Sequence, residues 1–151
     1  MTGSRGELRS FGVDLFDRWT ALWNGDVALA FQIMAADFTL HYAQANTEIV
    51  DGVRTPEAMA ALVTRWHDIR PGIRFSAEGE PAVDLEWSDG GPHGRVARPY
   101  LAVFVDSSRQ TIARSGIDML SVQGGRIAEV WSVSSGAAGR TFYREGHDAS
   151  R

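Results

Sequence analysis

The chain has 151 residues, enough for one domain with a substantial buried core. Hydrophobic residues make up 44% and charged residues 23%, and the formal net charge of −4 argues against nucleic acid as a main partner. Because the sequence contains no cysteine, disulfides, a thiolate nucleophile and cysteine-ligated metal centres are excluded.

Helical periodicity dominates the first 70 residues. From about Glu7 to Trp23, apolar residues recur at three- and four-residue steps, which predicts a helix with one buried face. The segment 24–26, Asn-Gly-Asp, predicts a break and the cap of a second, short helix that carries Val27, Ala30, Phe31 and Met34. Thr55, Pro56 and Glu57 form a helix start, and the third helix is predicted to stop before Pro71.

Strand patterns follow the helices. Residues 38–42 alternate and predict a first strand, and five more are predicted at 73–77, 82–87, 96–105, 110–122 and 125–133. Turns are predicted at 88–92 and 123–125, with a weaker one at 106–108. Helices segregated from a run of antiparallel strands predict a single α+β domain over 1–151, with an ordered core of about 7–143 and loose ends at 1–6 and 146–151. A curved sheet around a long helix leaves a cavity at its open end.

The sequence favours a location in the cytoplasm. No apolar run approaches the roughly 20 residues of a membrane span, and the first residues lack the pattern of a secretory signal. His67, His93 and His147 form no pair with metal-binding spacing, so we predict no metal and no cofactor.

Four segments together resemble one family. The segment 115–131, SGIDMLSVQGGRIAEVW, is similar to the final hairpin of SnoaL-like polyketide cyclases and ketosteroid isomerases. Residues 23–26, 36–40 and 51–66 resemble the first helix–turn, first strand and third helix of the same nuclear transport factor 2-like superfamily. The resemblance implies a cone-shaped, curved antiparallel sheet wrapped around three N-terminal helices, and a homodimer. It does not specify a reaction, since this fold hosts enzymes, binders and assembly modules.

Individual positions match the family in part. Asp118 matches the acid that donates a hydrogen bond to the oxyanion in ketosteroid isomerases, and Trp131 matches a pocket-lining tryptophan. The isomerase tyrosine on the first helix aligns with Trp19. The general-base aspartates of isomerases and cyclases fall at about Tyr42 and near Ser135, so both carboxylates are missing. This departure argues against a straightforward steroid isomerase or aldol cyclase.

Asp118 is the first candidate for a catalytic residue because it lies between apolar neighbours and away from turns. In a pocket, desolvation would raise its pKa and leave it a neutral donor, whereas a nearby cation would keep it ionised as a base. On the outer face of the sheet it would instead pair with an arginine such as Arg114 or Arg126.

His41 and Tyr42 are the other catalytic candidates. As neighbours on a strand they point to opposite faces, so only one lines the pocket, and the alignment favours Tyr42. Arg98 and Arg114 are candidates for holding an anionic group. Candidate substrate-binding residues are the aromatic side chains Trp19, Phe31, Trp66, Tyr100 and Trp131, with Phe104 as a weaker one.

These observations lead to three alternative functions. The first is a cofactor-independent acid/base enzyme that cyclises, isomerises, dehydrates or opens the epoxide of a hydrophobic, polyketide- or terpenoid-like molecule. The second is a small-molecule binding protein without catalysis, and the third is an association module that pairs through its sheet.

Overall fold

A computed structural model describes residues 4–136 and 138–143. The helices are α1 (Arg5–Trp23), α2 (Ala30–Ile33) and α3 (Pro56–Ile69), with 3₁₀ turns at Val27–Leu29 and Glu48–Gly52. The strands are β1 (Met34–Tyr42), β2 (Arg74–Ala77), β3 (Ala82–Ser88), β4 (Gly91–Val105), β5 (Thr111–Gln123) and β6 (Arg126–Ser134). The predicted α+β architecture is confirmed.

The first helix begins earlier than predicted, and the second ends earlier. Arg5 and Gly6, predicted as a loose end, belong to α1 because the Ser4 hydroxyl accepts a hydrogen bond from the Glu7 amide and caps the helix. Met34 opens β1 rather than closing the second helix. Residues 1–3 and 146–151 of the predicted loose ends lie outside the described residues.

The sheet is mixed, whereas the sequence predicted an antiparallel one. Strand order is β1-β6-β5-β4-β2, and β3 pairs with β4 beside β2. β1 runs parallel to β6 and all other pairs are antiparallel. Parallel pairing needs a long connection, which the whole chain between these two strands supplies.

The core lies between α1 and the inner face of the sheet. Trp19, Phe16 and Leu22 on α1 are almost fully buried, as is Phe38 on β1. Burial of these large side chains fixes the helix over the sheet. Among the described residues, no helix is long and apolar enough to cross a bilayer.

Helix α3 begins with a hydrogen-bonded cap whose removal gives a testable prediction. The Thr55 hydroxyl accepts a hydrogen bond from the Ala58 amide at 3.1 Å. Thr55→Ala should lower the free energy of unfolding by about 1 kcal/mol, which is a fall of roughly 2–4 °C in Tm. Thr64→Ala, in the middle of the same helix, should change it by less than about 0.5 kcal/mol. Equal losses in the two variants, measured by thermal denaturation, would contradict the capping role.

Candidate active site

An apolar cavity of about 590 Å³ opens at one end of the cone. Residues of α1 and α3 form one side, and the inner face of the sheet forms the other. Its aromatic lining residues are Phe16, Trp19, Trp23, Tyr42, Trp66, Phe75, Tyr100 and Phe104. The size and lining suit a hydrophobic small molecule.

Asp118 lies in the wall of this cavity, on the inner face of β5. Side chains alternate along the strand, so Gly116, Asp118 and Leu120 are buried while Ile117 is exposed. Strand pairing sets Asp118 opposite Ser132 on β6, and Ser132 opposite Tyr42 on β1. Three neighbouring strands therefore bring their polar side chains to one point.

Two hydrogen bonds hold the Asp118 carboxylate. The Trp19 indole Nε1 donates to Oδ2 at 2.9 Å, and the Ser132 hydroxyl donates to Oδ1 at 2.6 Å. Each oxygen has a second lone pair, so the carboxylate retains acceptor capacity towards the cavity. The two donors fix its orientation.

The pKa of Asp118 is raised from 3.8 to about 6. Desolvation by burial is the cause, and the hydrogen bonds from Ser132 and Trp19 limit the rise because they stabilise the ionised form. A carboxyl with a pKa near 6 is about 90% ionised at pH 7. Its strength as a base nevertheless exceeds that of an exposed carboxylate.

Two tyrosine hydroxyls accompany the carboxylate. Tyr42 and Tyr100 hydrogen-bond to each other, and both lie close enough to Asp118 for its charge to act on them. Burial is the main cause that raises the pKa of each phenol above 10. Both tyrosines therefore stay protonated at neutral pH, so each phenol is a hydrogen-bond donor and not a base.

His41 lies on the outer face of the sheet, away from Asp118. Its Nε2 is 2.5 Å from a carboxylate oxygen of Glu129, and its ring stacks on Trp131 at 5.6 Å between centroids. His41 must point outward because side chains alternate along β1 and the adjacent Tyr42 points inward. His41 and Tyr42 are thus not brought together in one site.

Trp131 and Phe31 do not line the cavity, contrary to their predicted places. Trp131 is on the outer face of β6, with the Arg95 guanidinium 4.6 Å from its ring centroid. Phe31 is on the short helix α2 and is 52% exposed, because the turn buries Ala30 and Ile33 instead. Trp19, Trp66 and Tyr100 do line the cavity.

The two candidate arginines have different surroundings. Arg98 donates to the Gly79 carbonyl at 2.8 Å and contacts Asp17 at 3.4 Å, outside the cavity. Arg114 lines the cavity and donates to the Gly136 carbonyl at 2.8 Å, so it also supports the chain after β6.

Sequence reasoning missed Ser132, the direct partner of Asp118. It also missed Arg65 on α3 and Arg70, the residue that follows this helix, which line the cavity with Trp66. Residues three and four apart lie on the same face of a helix, so a cavity-lining Trp66 predicts that Ile69 also faces the cavity. The two arginines are the chain neighbours of these residues. No comparable signal marks Ser132, because its inward position depends on an irregularity in strand pairing.

Comparison of the sequence with known proteins gives a match over part of the chain. No family model matches the chain. Human calcium homeostasis modulator protein 1 is 32% identical over 69 residues, which are 46% of this chain but 20% of that protein. The chain therefore spans about a fifth of the length of this relative.

Several solved structures superpose on most of the chain. A protein from Acidithiobacillus ferrooxidans named as a polyketide cyclase matches with a TM-score of 0.63 and 16% identity, covering 82% of this chain and 87% of that one. A Jannaschia protein named as a SnoaL-like polyketide cyclase matches with 0.62 and 12%, covering 87% and 90%. A Catenulispora acidiphila protein with a ketosteroid isomerase-like fold, in complex with trimethylamine, gives 0.56 and 14%, covering 78% and 82%. At these identities the likeness establishes a shared fold.

Proposed function

We propose that this chain, which has the nuclear transport factor 2-like fold, is an acid/base enzyme that uses no cofactor and acts on a hydrophobic polyketide- or terpenoid-like carbonyl compound. The observation that supports this best is the Asp118 carboxylate, buried in an apolar cavity with two fixed donors. Perturbed carboxyls in apolar pockets are characteristic of proton-transfer sites.

The proposed chemistry begins with removal of a proton from the carbon next to a carbonyl. The C–H bond breaks, an O–H bond forms on Asp118, and the electron pair moves to the carbonyl oxygen as an enolate. Hydroxyl donors such as Tyr42 and Tyr100 stabilise such an oxyanion. The enolate carbon then attacks a second carbonyl, which closes a ring as the new alkoxide takes the proton from Asp118. Alternatively, Asp118 returns the proton at another carbon of the conjugated enolate, which isomerises the molecule.

In a dehydration, the enolate would instead expel a hydroxyl group from the next carbon, which leaves as water with the proton from Asp118. In epoxide opening, Asp118 would take a proton from water as the water oxygen attacks an epoxide carbon, and a tyrosine O–H would protonate the oxygen released by the broken C–O bond.

Exchange of carbon-bound hydrogen tests this step without knowledge of the natural substrate. The probe is 2-tetralone, a flat hydrophobic ketone, incubated with the protein in D₂O and followed by mass spectrometry. We expect protein-dependent deuterium incorporation next to the carbonyl, inhibited by equilenin, a planar phenol that competes for the cavity. Exchange no faster than in buffer, with equilenin bound in the cavity, would reject proton abstraction by this site.

The pH dependence of exchange distinguishes a basic from an acidic Asp118. The ionised carboxylate accepts the proton, so the rate should rise with pH, reach half its maximum near pH 6 and level off above about pH 7. A neutral carboxylic acid that acts as a donor would give the opposite slope, with the rate falling above pH 6. Measurement of initial exchange rates between pH 4.5 and 8.5, corrected for buffer catalysis, decides between them.

A non-catalytic binding protein is the second candidate. Both Asp118 oxygens already accept hydrogen bonds, and Asp118 is the only carboxylate among the described residues that line the cavity. In that case Asp118 would only orient a ligand. Saturable binding of equilenin without exchange of 2-tetralone at any pH is the result that would favour this function.

A further inference from the structure

Two arginines border the cavity at the end of α3. Arg65 is exposed and Arg70 is half-buried, whereas Asp118 on the opposite wall is 5% exposed. The positive charges of Arg65 and Arg70 and the negative charge of Asp118 thus occupy different depths of one apolar cavity, which Arg114 on β5 also lines. Within the described part of the chain, no ion pair joins either arginine to an acidic residue.

Arg70 is held against the cavity wall. Its guanidinium carbon is 4.2 Å from the ring centroid of Phe104, which also lines the cavity. A guanidinium that stacks by its face still presents its N–H groups along its edges. Arg70 therefore combines a fixed position with donors that can bind a planar anion.

We infer that the substrate is an amphipathic anion: a hydrophobic molecule with a carboxylate at the end remote from its reacting carbonyl. Arg65 and Arg70 would bind this carboxylate at the mouth, since arginine forks match carboxylate geometry. An ionised Asp118 repels the same group from the deep end. Attraction and repulsion together select one orientation, which delivers the apolar, carbonyl-bearing end to Asp118. This inference rests on the proposed function, because it assigns the substrate class of the same cavity.

A purely structural explanation of the arginines makes a different prediction. Cations near the C-terminus of a helix interact favourably with its exposed carbonyl groups. If that were their whole role, their replacement would lower the stability of α3 and leave ligand discrimination unchanged. Binding selectivity therefore separates the two explanations.

The experiment compares two probes with the same pyrene ring and four-carbon chain, 1-pyrenebutyrate, which ends in a carboxylate, and 1-pyrenebutanol, which ends in a neutral hydroxyl. Binding is measured by quenching of tryptophan fluorescence in the wild type and in the double variant Arg65→Gln/Arg70→Gln. We expect the double variant to raise the Kd of the acid by about 10-fold and that of the alcohol by less than about 2-fold. Higher salt should weaken binding of the acid to the wild type, because the arginines are partly exposed.

Arg5→Gln is the matched control. It removes one positive charge, where the double variant removes two, from an exposed position on α1. The helical rise places this position about 16 Å before Phe16, the first α1 residue at the cavity. Arg5→Gln should leave both Kd values unchanged within about 2-fold. Thermal denaturation of every variant verifies that each is folded under the conditions of the titration.

The possible failures are distinguishable. If the double variant binds the acid as tightly as the wild type does, binding of the carboxylate by Arg65 and Arg70 is rejected, while the hydrophobic cavity and the proposed reaction stand. If neither probe binds the wild type, both the inference and the proposal of a hydrophobic ligand are rejected.

Discussion

Replacement of Asp118 by asparagine should lower the rate of 2-tetralone exchange by roughly 10²–10⁴-fold. The amide is nearly isosteric with the carboxyl, and its oxygen can still accept the hydrogen bond from Trp19. It cannot accept a proton from carbon at neutral pH. The loss should therefore be in the catalytic step, with the Kd of equilenin changed by much less.

Stability provides a separate readout for the same variant. The folded-state pKa of Asp118 is raised from 3.8 to about 6, so its stabilising contribution is complete below about pH 4 and is lost as the pH rises through 6. At pH 7.5 the native protein carries a buried, ionised carboxylate whose desolvation opposes folding. Asp118→Asn removes this charge, so we expect a free energy of unfolding no lower than that of the wild type. A fall in exchange with no fall in stability cannot be attributed to unfolding.

Asp84→Asn is the control for loss of a carboxylate. Asp84 is exposed on β3 and does not line the cavity. Its replacement should leave exchange within about 2-fold of the wild-type rate. If Asp118→Asn kept the wild-type rate, Asp118 would not be the base, and the proposed function would lose its main support.

Much of the fold was predictable because its signals are local. The apolar spacing of α1 and the cap at Thr55 are set by residues within one or two turns. The two glycines at 124 and 125 both have positive φ, which favours a two-residue hairpin turn at that point. Parallel pairing of β1 with β6 was not predictable in this way, because it joins strands that are distant in the sequence and no local pattern encodes it.

The composition of the site depends on one irregularity in strand pairing. A regular hairpin closed by Gly124 and Gly125 pairs Gln123 with Arg126 and, continued, would set Asp118 opposite Trp131. The register shifts by one residue where Ser121 pairs with Glu129 but Val122 pairs with Ile127.

That shift leaves Ala128 as an extra residue on β6, which is a bulge. Because strand side chains alternate, a one-residue shift exchanges the inner and outer faces of the strand beyond it. Ser132 thereby replaces Trp131 beside Asp118, and Trp131 moves outside to His41. The prediction for Asp118 was compatible with the structure. The prediction for Trp131 rested on the family resemblance, and the bulge places this residue on the opposite face.

Gly116→Ala should disrupt the tyrosine pair and destabilise the protein. Gly116 is paired with Tyr100 across β5 and β4, and a methyl group added there would overlap the hydroxyl end of the Tyr100 ring. It would also lie 2.6 Å from the Val133 carbonyl oxygen, a backbone atom that cannot swing aside. Overpacking of this kind lowers the free energy of unfolding by typically 1–3 kcal/mol, and we expect about 3 because the backbone of the central strands must shift.

The same substitution should impair exchange beyond its effect on stability. Displacement of Tyr100 removes one of the two hydroxyl donors from the oxyanion position, for which a loss of about 10-fold or more is expected even where the variant is fully folded. Denaturant unfolding and exchange rates are to be measured on the same samples.

Gly52→Ala is the matched control, since Gly52 ends a 3₁₀ turn and a methyl group added there meets nothing within 4 Å. It should change the free energy of unfolding by less than about 1 kcal/mol and leave exchange intact. If Gly116→Ala were as stable and as active as the wild type, Tyr100 would not pack on the glycine as described, and the expected loss of a tyrosine donor would be contradicted.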